Sequence, residues 1–425
     1  MDATSTMTVP NTDPNIGLHK PFLENAANGD DRQEGLGAFL VMRLVDQFCV
    51  DAAQPSRDAM HYQCYSTQEF VSGLHPKTET SSVLYEVTRV AKAALESEDR
   101  RMLFPPLQAL AYRLEEESRF DEALDVLQTA IRLSDGRDAE EEVGVFLHLG
   151  RIYRNNNSFR EARNCYERAG AMALRLRDRH SELLSRIGRG IVTRQTGNLP
   201  ESEKILRDVI AESQTSKDGD AEARASQDLA GTLYFAGRIS EATPYAFRAY
   251  ELHDAPSDKA RALSDTGAML KALGHYSAAQ NAYSVVLAHD LRPDVRARTE
   301  IECLEVSALT GDRVSFERWR CEIAKKRDDL PQDVLLEFEL EMGIGYSMFD
   351  RYDRAEDHIR NAIAIAEELG MGQRLFFAER RLEEIQDQRS RSFEHSLLFN
   401  EEGECTTPVR ETIERLEDLV AAARG

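Results

Sequence analysis

The chain has 425 residues, 41% of them hydrophobic and 30% charged, which suits several compact units or one extended array. Its net charge of −22 argues against a general nucleic-acid binder, which needs clustered Lys and Arg. No stretch approaches the ~20 apolar residues of a membrane span, and residues 1–34 lack the apolar core of a signal peptide, so a cytoplasmic location is expected.

Residues 1–35, rich in Asp, Asn, Thr and Gly, read as a disordered tail. Residues 36–100 read as an N-terminal helical subdomain with helix candidates at Gly37 to Val50, Ser66 to Gly73 and Ser81 to Glu98. The last places Val83, Val87, Val90, Ala91 and Ala94 on one face, the spacing of an amphipathic helix. His61, Cys64, Cys49 and His75 are zinc-ligand types, but their spacing matches no common zinc module, and no metal or cofactor is expected. The other cysteines, Cys165, Cys303, Cys321 and Cys405, are scattered and none forms a C-x-x-C pair, which suggests reduced thiols. Pro105 and Pro106 open the next helix, where missing N–H groups cost little. The acidic runs Glu115 to Glu117 and Glu140 to Glu142 read as solvated faces.

From here the chain repeats itself. Phe146 to Ala169 carries Phe146, Leu149, Gly150 and Tyr153 on a first helix, then Phe159, Ala162, Tyr166 and Ala169 on a second. The small residue of the second helix recurs at Ala123, Ala162, Ser202, Ala242, Ala279 and Ala355. The small residue of the first helix recurs at Ala111, Gly150, Gly190, Ala230, Gly267 and Gly343, and turns are marked by Gly197, Gly237 and Gly274. The spacing is 37 to 40 residues except for one gap of 76 between Ala279 and Ala355. That gap holds a degenerate sixth repeat, in which Phe316 replaces the alanine and Arg313 the large apolar residue. Antiparallel helices need small residues where their backbones approach, and a single pair cannot bury its apolar face, so pairs stack. The interruption suggests a bend or a contact surface around Trp319.

These eight positions resemble the tetratricopeptide repeat (TPR) pattern, aromatic-x-x-Leu-Gly-x-x-Tyr followed by aromatic-x-x-Ala-x-x-x-aromatic-x-x-Ala. The resemblance implies an all-α fold, a right-handed TPR α-α superhelix with an N-terminal helical cap and a C-terminal helix. Residues 101–389 are assigned to seven repeats plus a capping helix at Arg374 to Gln388, and 390–407 to a linker. Residues 408–425 form a C-terminal amphipathic helix capped by Thr407 and Pro408. Its stripe of Val409, Ile413, Leu416 and Val420 must dock on its own repeats, in their groove, on a partner, or on a second copy as a homodimer.

In TPR proteins the first helix of each repeat lines a concave ligand groove. Carried onto this register, the ligand-facing positions hold Arg151, Arg154, Asn155, Arg194, Gln195, Arg224, Gln227, Tyr234, Arg261, Lys271 and Arg298. Arg224, Arg261 and Arg298 share one repeat position and should form a ladder. Arginine forks suit an acidic peptide or partner segment. Pairing with Asp228, Asp265 and Glu302 on the same helices is the alternative use of those cations. The chain therefore reads as a protein- or peptide-binding scaffold or adaptor, not an enzyme. The architecture is also similar to that of peptide-controlled regulatory receptors, which act on a partner protein. An enzyme with its site in the N-terminal subdomain is the remaining alternative.

Overall fold

The structure is a computed structural model describing residues 19–28, 32–49, 55–75, 77–134, 139–289, 291–391 and 405–424. Among them are twenty α-helices and no strand. The chain divides into two compact units, Met1–Thr196 and Gly197–Gly425.

The N-terminal unit holds α1 (Lys20–Asn28), α2 (Arg32–Asp46), α3 (Arg57–Ser72) and α4 (Glu79–Ser97), followed by α5 (Phe104–Glu116), α6 (Phe120–Leu133), α7 (Ala139–Asn155), α8 (Phe159–Leu176) and α9 (Arg179–Gln195). The C-terminal unit holds α10 (Leu199–Ser216), α11 (Gly219–Phe235), α12 (Ile239–Leu252), α13 (Pro256–Ala272), α14 (Tyr276–Leu287), α15 (Pro293–Leu309) and α16 (Arg313–Ala324). It ends with α17 (Gln332–Met348), α18 (Tyr352–Glu368), α19 (Gly372–Arg391) and α20 (Thr407–Arg424).

The expected helix pairs are present. First helices α7, α9, α11, α13, α15 and α17 are each 17 residues long. The second helices are less uniform, and α14 and α16 have only 12 residues. Turns use a left-handed residue where the sequence places Gly237 (φ 76°) and Gly274 (φ 81°), a conformation without Cβ penalty for glycine. Repeats without that glycine put Ser118, Asn157 and Asp350 in the same conformation. In the second repeat Ala162 is fully buried and Gly150 lets the Tyr166 ring sit close, since a Cβ there would stand 2.8 Å from it.

Two expectations need correction. The tail over 1–35 is structured in its second part: α1 forms within it and α2 begins in it, with His19 and Phe22 fully buried. His19 lies between Asp46 (2.9 Å) and Asp125 (2.5 Å), so a polar-looking segment is anchored by a buried ion network that hydropathy does not reveal. Residues 1–18 lie outside the described residues. The candidate at Ser66 to Gly73 is the last part of α3, which begins at Arg57 because Ser56 accepts from the Ala59 N–H and caps it. Trp319, around which a bend or contact surface was expected, is half-buried against core residues of its own unit.

The degenerate sixth repeat is α15 and α16. Phe316, at the alanine position, is fully buried because Gly345 on α17 gives its ring room. Tyr346 (ring centroids 5.4 Å) and Phe349 (5.2 Å) pack edge-on around it.

The C-terminal helix α20 docks within its own unit, on the second helices α12 and α14 and not on the first-helix face. Val409, Leu416 and Val420 are buried in the core around Phe247, Tyr283 and Val286, which accounts for the apolar stripe. Arg415 lies 5.2 Å over the Phe247 ring and pairs with Glu251. The helix begins at Thr407, one residue before the expected start, and the Thr406 carbonyl accepts its first bond, from Arg410 N–H. Most of the expected linker, 392–404, lies outside the described residues.

Candidate functional site: the first-helix faces

Within each unit, successive first helices meet through polar side chains. In the C-terminal unit, Gln227 on α11 donates to Asp265 on α13 (2.7 Å). Lys271 on α13 reaches Glu302 (2.6 Å) and Glu305 on α15. Arg298 on α15 reaches Glu337 (2.6 Å) and Asp333 on α17. Side chains one repeat apart thus face each other along one surface, as helix pairs stacked in register require. The stacked helix pairs are those that the resemblance to the tetratricopeptide repeat implies.

No protein-family model matches the chain, and no curated protein matches it. Solved structures similar to it include the apo form of the quorum sensor NprR from B. thuringiensis, with 12% identity over 82% of this chain and 92% of that chain and a TM-score of 0.47. Another is a Rap protein complexed with Competence and Sporulation Factor, with 11% identity over 85% of this chain and 99% of that chain and a TM-score of 0.43. A third is a putative kinesin light chain of Podosopora anserina with nearly identical TPR-like repeats, with 19% identity over 46% of this chain and 96% of that chain and a TM-score of 0.34.

The expected ligand-facing residues lie on first helices, but the arginines do not stand as a bare basic row. In the N-terminal unit, Glu115 on α5 gathers three of the neighbouring α7 groups. It accepts from Arg151 (2.6 Å) and Asn155 (2.8 Å) and meets His148 (3.0 Å). The His148 ring stacks on Tyr112 with centroids 3.9 Å apart, and Arg151 lies 4.3 Å over the same Tyr112 ring. Burial opposes ionisation of Glu115, but the hydrogen bond from His148 and the Arg151 guanidinium outweigh it and hold the carboxyl below its usual range. Burial lowers the His148 pKa. Glu115 therefore is no solvated surface acid; it is a largely buried carboxylate held by groups of the next first helix. Glu117, expected exposed as well, accepts from Thr80 (2.6 Å), Arg119 (2.9 Å) and Arg113 (3.0 Å). Arg154 contacts the Asn155 side chain (3.3 Å) and keeps a buried Nε without a partner. Arg194 is half-buried and Gln195, the last residue of α9, is exposed.

In the C-terminal unit Arg224 pairs with Asp220 (2.7 Å) and Arg261 with Asp258 (3.1 Å). These carboxylates lie one turn toward the helix N-terminus from each arginine. Glu302 is engaged, but by Lys271 and by the Tyr283 hydroxyl (2.8 Å), not by Arg298. Tyr234 is exposed and lies edge-on to the more exposed Phe235, centroids 6.0 Å apart.

Two rows of opposite sign result. Arg224, Arg261 and Arg298 occupy one, and four residues later in each helix come Asp228, Asp265 and Glu302. Glu305 and Glu341 lie half-buried near Lys271. Burial, and then repulsion from Glu305 and Glu302, push the Glu341 carboxyl up to about 8. In the repeat register Glu305 takes the position that Arg151 holds in the second repeat, and Glu341 takes the position of Asp228, Asp265 and Glu302; the expectation from sequence singles out the cations at these faces and passes over both glutamates.

Among the described residues, no group of three or more His, Cys, Asp or Glu has the arrangement to hold a metal ion. Cys49 and Cys64 are buried free thiols, and burial raises the Cys64 pKa. No described helix is long and apolar enough to cross a membrane.

Proposed function

We propose that the protein is a binding scaffold or adaptor, not an enzyme, and that the first-helix face of its C-terminal unit holds a segment of another protein. The observation that carries this reading is the pair of parallel rows across α11, α13 and α15. The arginine row is the outer one, and its side chains are accessible: 43% of Arg224, 59% of Arg261 and 42% of Arg298 is exposed. Pairs this exposed contribute roughly 0–1 kcal/mol each, so an incoming carboxylate competes with Asp220, Asp258 and Asp333 at small cost. The natural partner segment is acidic along the edge that meets the arginines. Its opposite edge carries Lys or Arg toward the acidic row of Asp228, Asp265 and Glu302. Tyr234 and Phe235 offer an aromatic contact at one end of the rows.

The test is binding of two synthetic peptides, one purely acidic and one with acidic and basic residues on opposite edges, followed by fluorescence anisotropy. The two-edged peptide should bind more tightly. Replacing Arg224, Arg261 and Arg298 together with Glu should weaken both at least tenfold while the helical circular dichroism signal persists. Unchanged affinity in that variant sinks the assignment of the face.

A second reading is a peptide-controlled regulator, and the polar seam of the N-terminal unit favours it. The start of α1 and the helix α2 are tied to α6 and its N-cap by His19 to Asp125, Arg132 to Asp46 (2.7 Å) and Arg119 to Glu34 (3.1 Å). Ion pairs rearrange more readily than an apolar seam, so ligand binding could be transmitted to α1 and α2. Hydrogen exchange in α1 and α2 with and without bound peptide distinguishes this reading from a passive scaffold; identical exchange argues for the scaffold. A homodimer formed by exchange of α20 between copies is part of the same proposal, and light scattering of the full chain tests it.

A further inference from the structure

We propose that the cleft between α16 and α17 is a binding site for a phosphomonoester group. The sixth repeat opens it. In the C-terminal unit α10, α12, α14 and α18 each pack closely against the first helix that follows, whereas α16 does not lie along α17 in this way. The reason is the large Phe316 ring, which stands at the alanine position and wedges the start of α16 against Gly345, together with the early end of α16 at Ala324. A cavity of about 310 Å³ remains, walled by α16, α17, α18 and the 3-10 turn Arg327–Asp329.

Its walls are cationic in an acidic protein. Arg320, Arg327, Arg354 and His358 line it, with Tyr346 as its aromatic side. The stretch 313–327 that supplies two of these arginines holds six Lys and Arg against two Glu in a chain of net charge −22. Arg354 has no carboxylate partner among the described residues; its guanidinium sits 5.5 Å over the Tyr346 ring and 3.4 Å from the Tyr346 hydroxyl. Arg320 pairs with Glu317 (2.6 Å) through Nε. Arg327 pairs with Glu339 (2.5 Å) through Nη1. A guanidinium has five N–H donors, so both arginines keep donors for a ligand.

Glu339 is fully buried and binds His358 through Nδ1 (2.6 Å). Burial opposes its ionisation, but His358 and Arg327 outweigh this and hold its carboxyl below the usual range. Glu339 thereby fixes the orientation of His358 and Arg327 from beneath, leaving Nε2 as the ring nitrogen not used in that bond. Three forked cations and an imidazole around one small cavity suit a tetrahedral dianion with three free oxygens better than a planar carboxylate. Tyr346 and His358, stacked with centroids 5.5 Å apart, suit the organic part of the ester. One carboxylate, Asp357, also lines the cleft; it is mostly exposed and lies 3.8 Å from Arg360.

The cleft is separate from the first-helix rows, so its failure would leave the scaffold reading standing. The test is calorimetric titration of the full chain with inorganic phosphate, glycerol phosphate and a phosphotyrosine peptide. All three should bind competitively, and Arg354→Gln should weaken each about tenfold or more while the circular dichroism spectrum is unchanged. Asp357→Asn should tighten binding severalfold by removing a like charge. Tighter binding of glycerol phosphate assigns the site to a free phosphorylated metabolite; tighter binding of the peptide assigns it to a phosphorylated side chain. No binding of any of the three, or affinities unaffected by both Arg354→Gln and Arg320→Gln, overturns the proposal.

Discussion

The second and sixth repeats place opposite residues at one position and both stay packed. In the second, Ala162 is small, and the space between helices is filled by Tyr166 against Gly150. In the sixth, Phe316 is large, and the room comes from Gly345 one helix further on. The repeat therefore specifies a sum of volumes across neighbouring helices, and one helix gives what the other takes. The sixth repeat redistributes that volume unevenly. Its core is filled at the start of α16, and a cleft is left at the other end.

Restoring the repeat pattern should therefore do harm where it is broken. Phe316→Ala should destabilise the chain by about 3–5 kcal/mol, the range for a large aromatic lost from a core, as measured by chemical denaturation. A near-neutral result would mean that the sixth repeat can close around an alanine. Leu416→Ala on the buried face of α20 should cost about 2–5 kcal/mol in local stability and speed proteolysis of α20. Slow, unchanged cleavage would show that α20 is not held by its apolar stripe. Ala162→Leu, the converse of the Phe316 change, should cost about 1–3 kcal/mol through overpacking against Tyr166 and its neighbours. A normal melting temperature in that variant would break the register on which the comparison rests.

Smaller effects separate the two units. Burial works against protonation of His19, but the hydrogen bonds to Asp125 and Asp46 outweigh it and raise its pKa above 6.5. Its folded-state pKa exceeds the unfolded value, so the contribution is complete below 6.5 and is lost as pH rises through the raised value. The N-terminal unit should thus lose stability on the alkaline side of 6.5, and His19→Gln should flatten that slope in denaturation followed across pH. The Arg224, Arg261 and Arg298 triple change should alter stability least, roughly 0.5 kcal/mol or less per site, because these pairs are exposed. A larger loss would mean that the arginine row is structural.

Much of the fold was legible because its signals are local and periodic. Ala123, Ala162, Ala242, Ala279 and Ala355 are all fully buried, as small residues at helix crossings must be. The stripe on α20 was also legible, since the spacing of Val409, Leu416 and Val420 declares a face that must be covered. The surface that covers it was not, because nothing in a stripe says whether α12 and α14 or a groove will receive it. The candidate site was half legible. The register placed Arg224, Arg261 and Arg298 on one face, but Glu115 looked like part of an exposed acidic run. It is held instead by Arg151, His148 and Asn155 of the next helix pair.

The sequence by itself determined the helix pairs, their repeat length, the small residues at their crossings and the row of arginines. Each depends on residues within one repeat or on a fixed offset to the next. Only the tertiary structure decided which carboxylate each arginine meets, where α20 lies, that His19 is held between Asp46 and Asp125, and that the sixth repeat opens a cationic cleft. Those outcomes depend on charges and volumes brought together from distant parts of the chain. Such pairings have no period in the sequence.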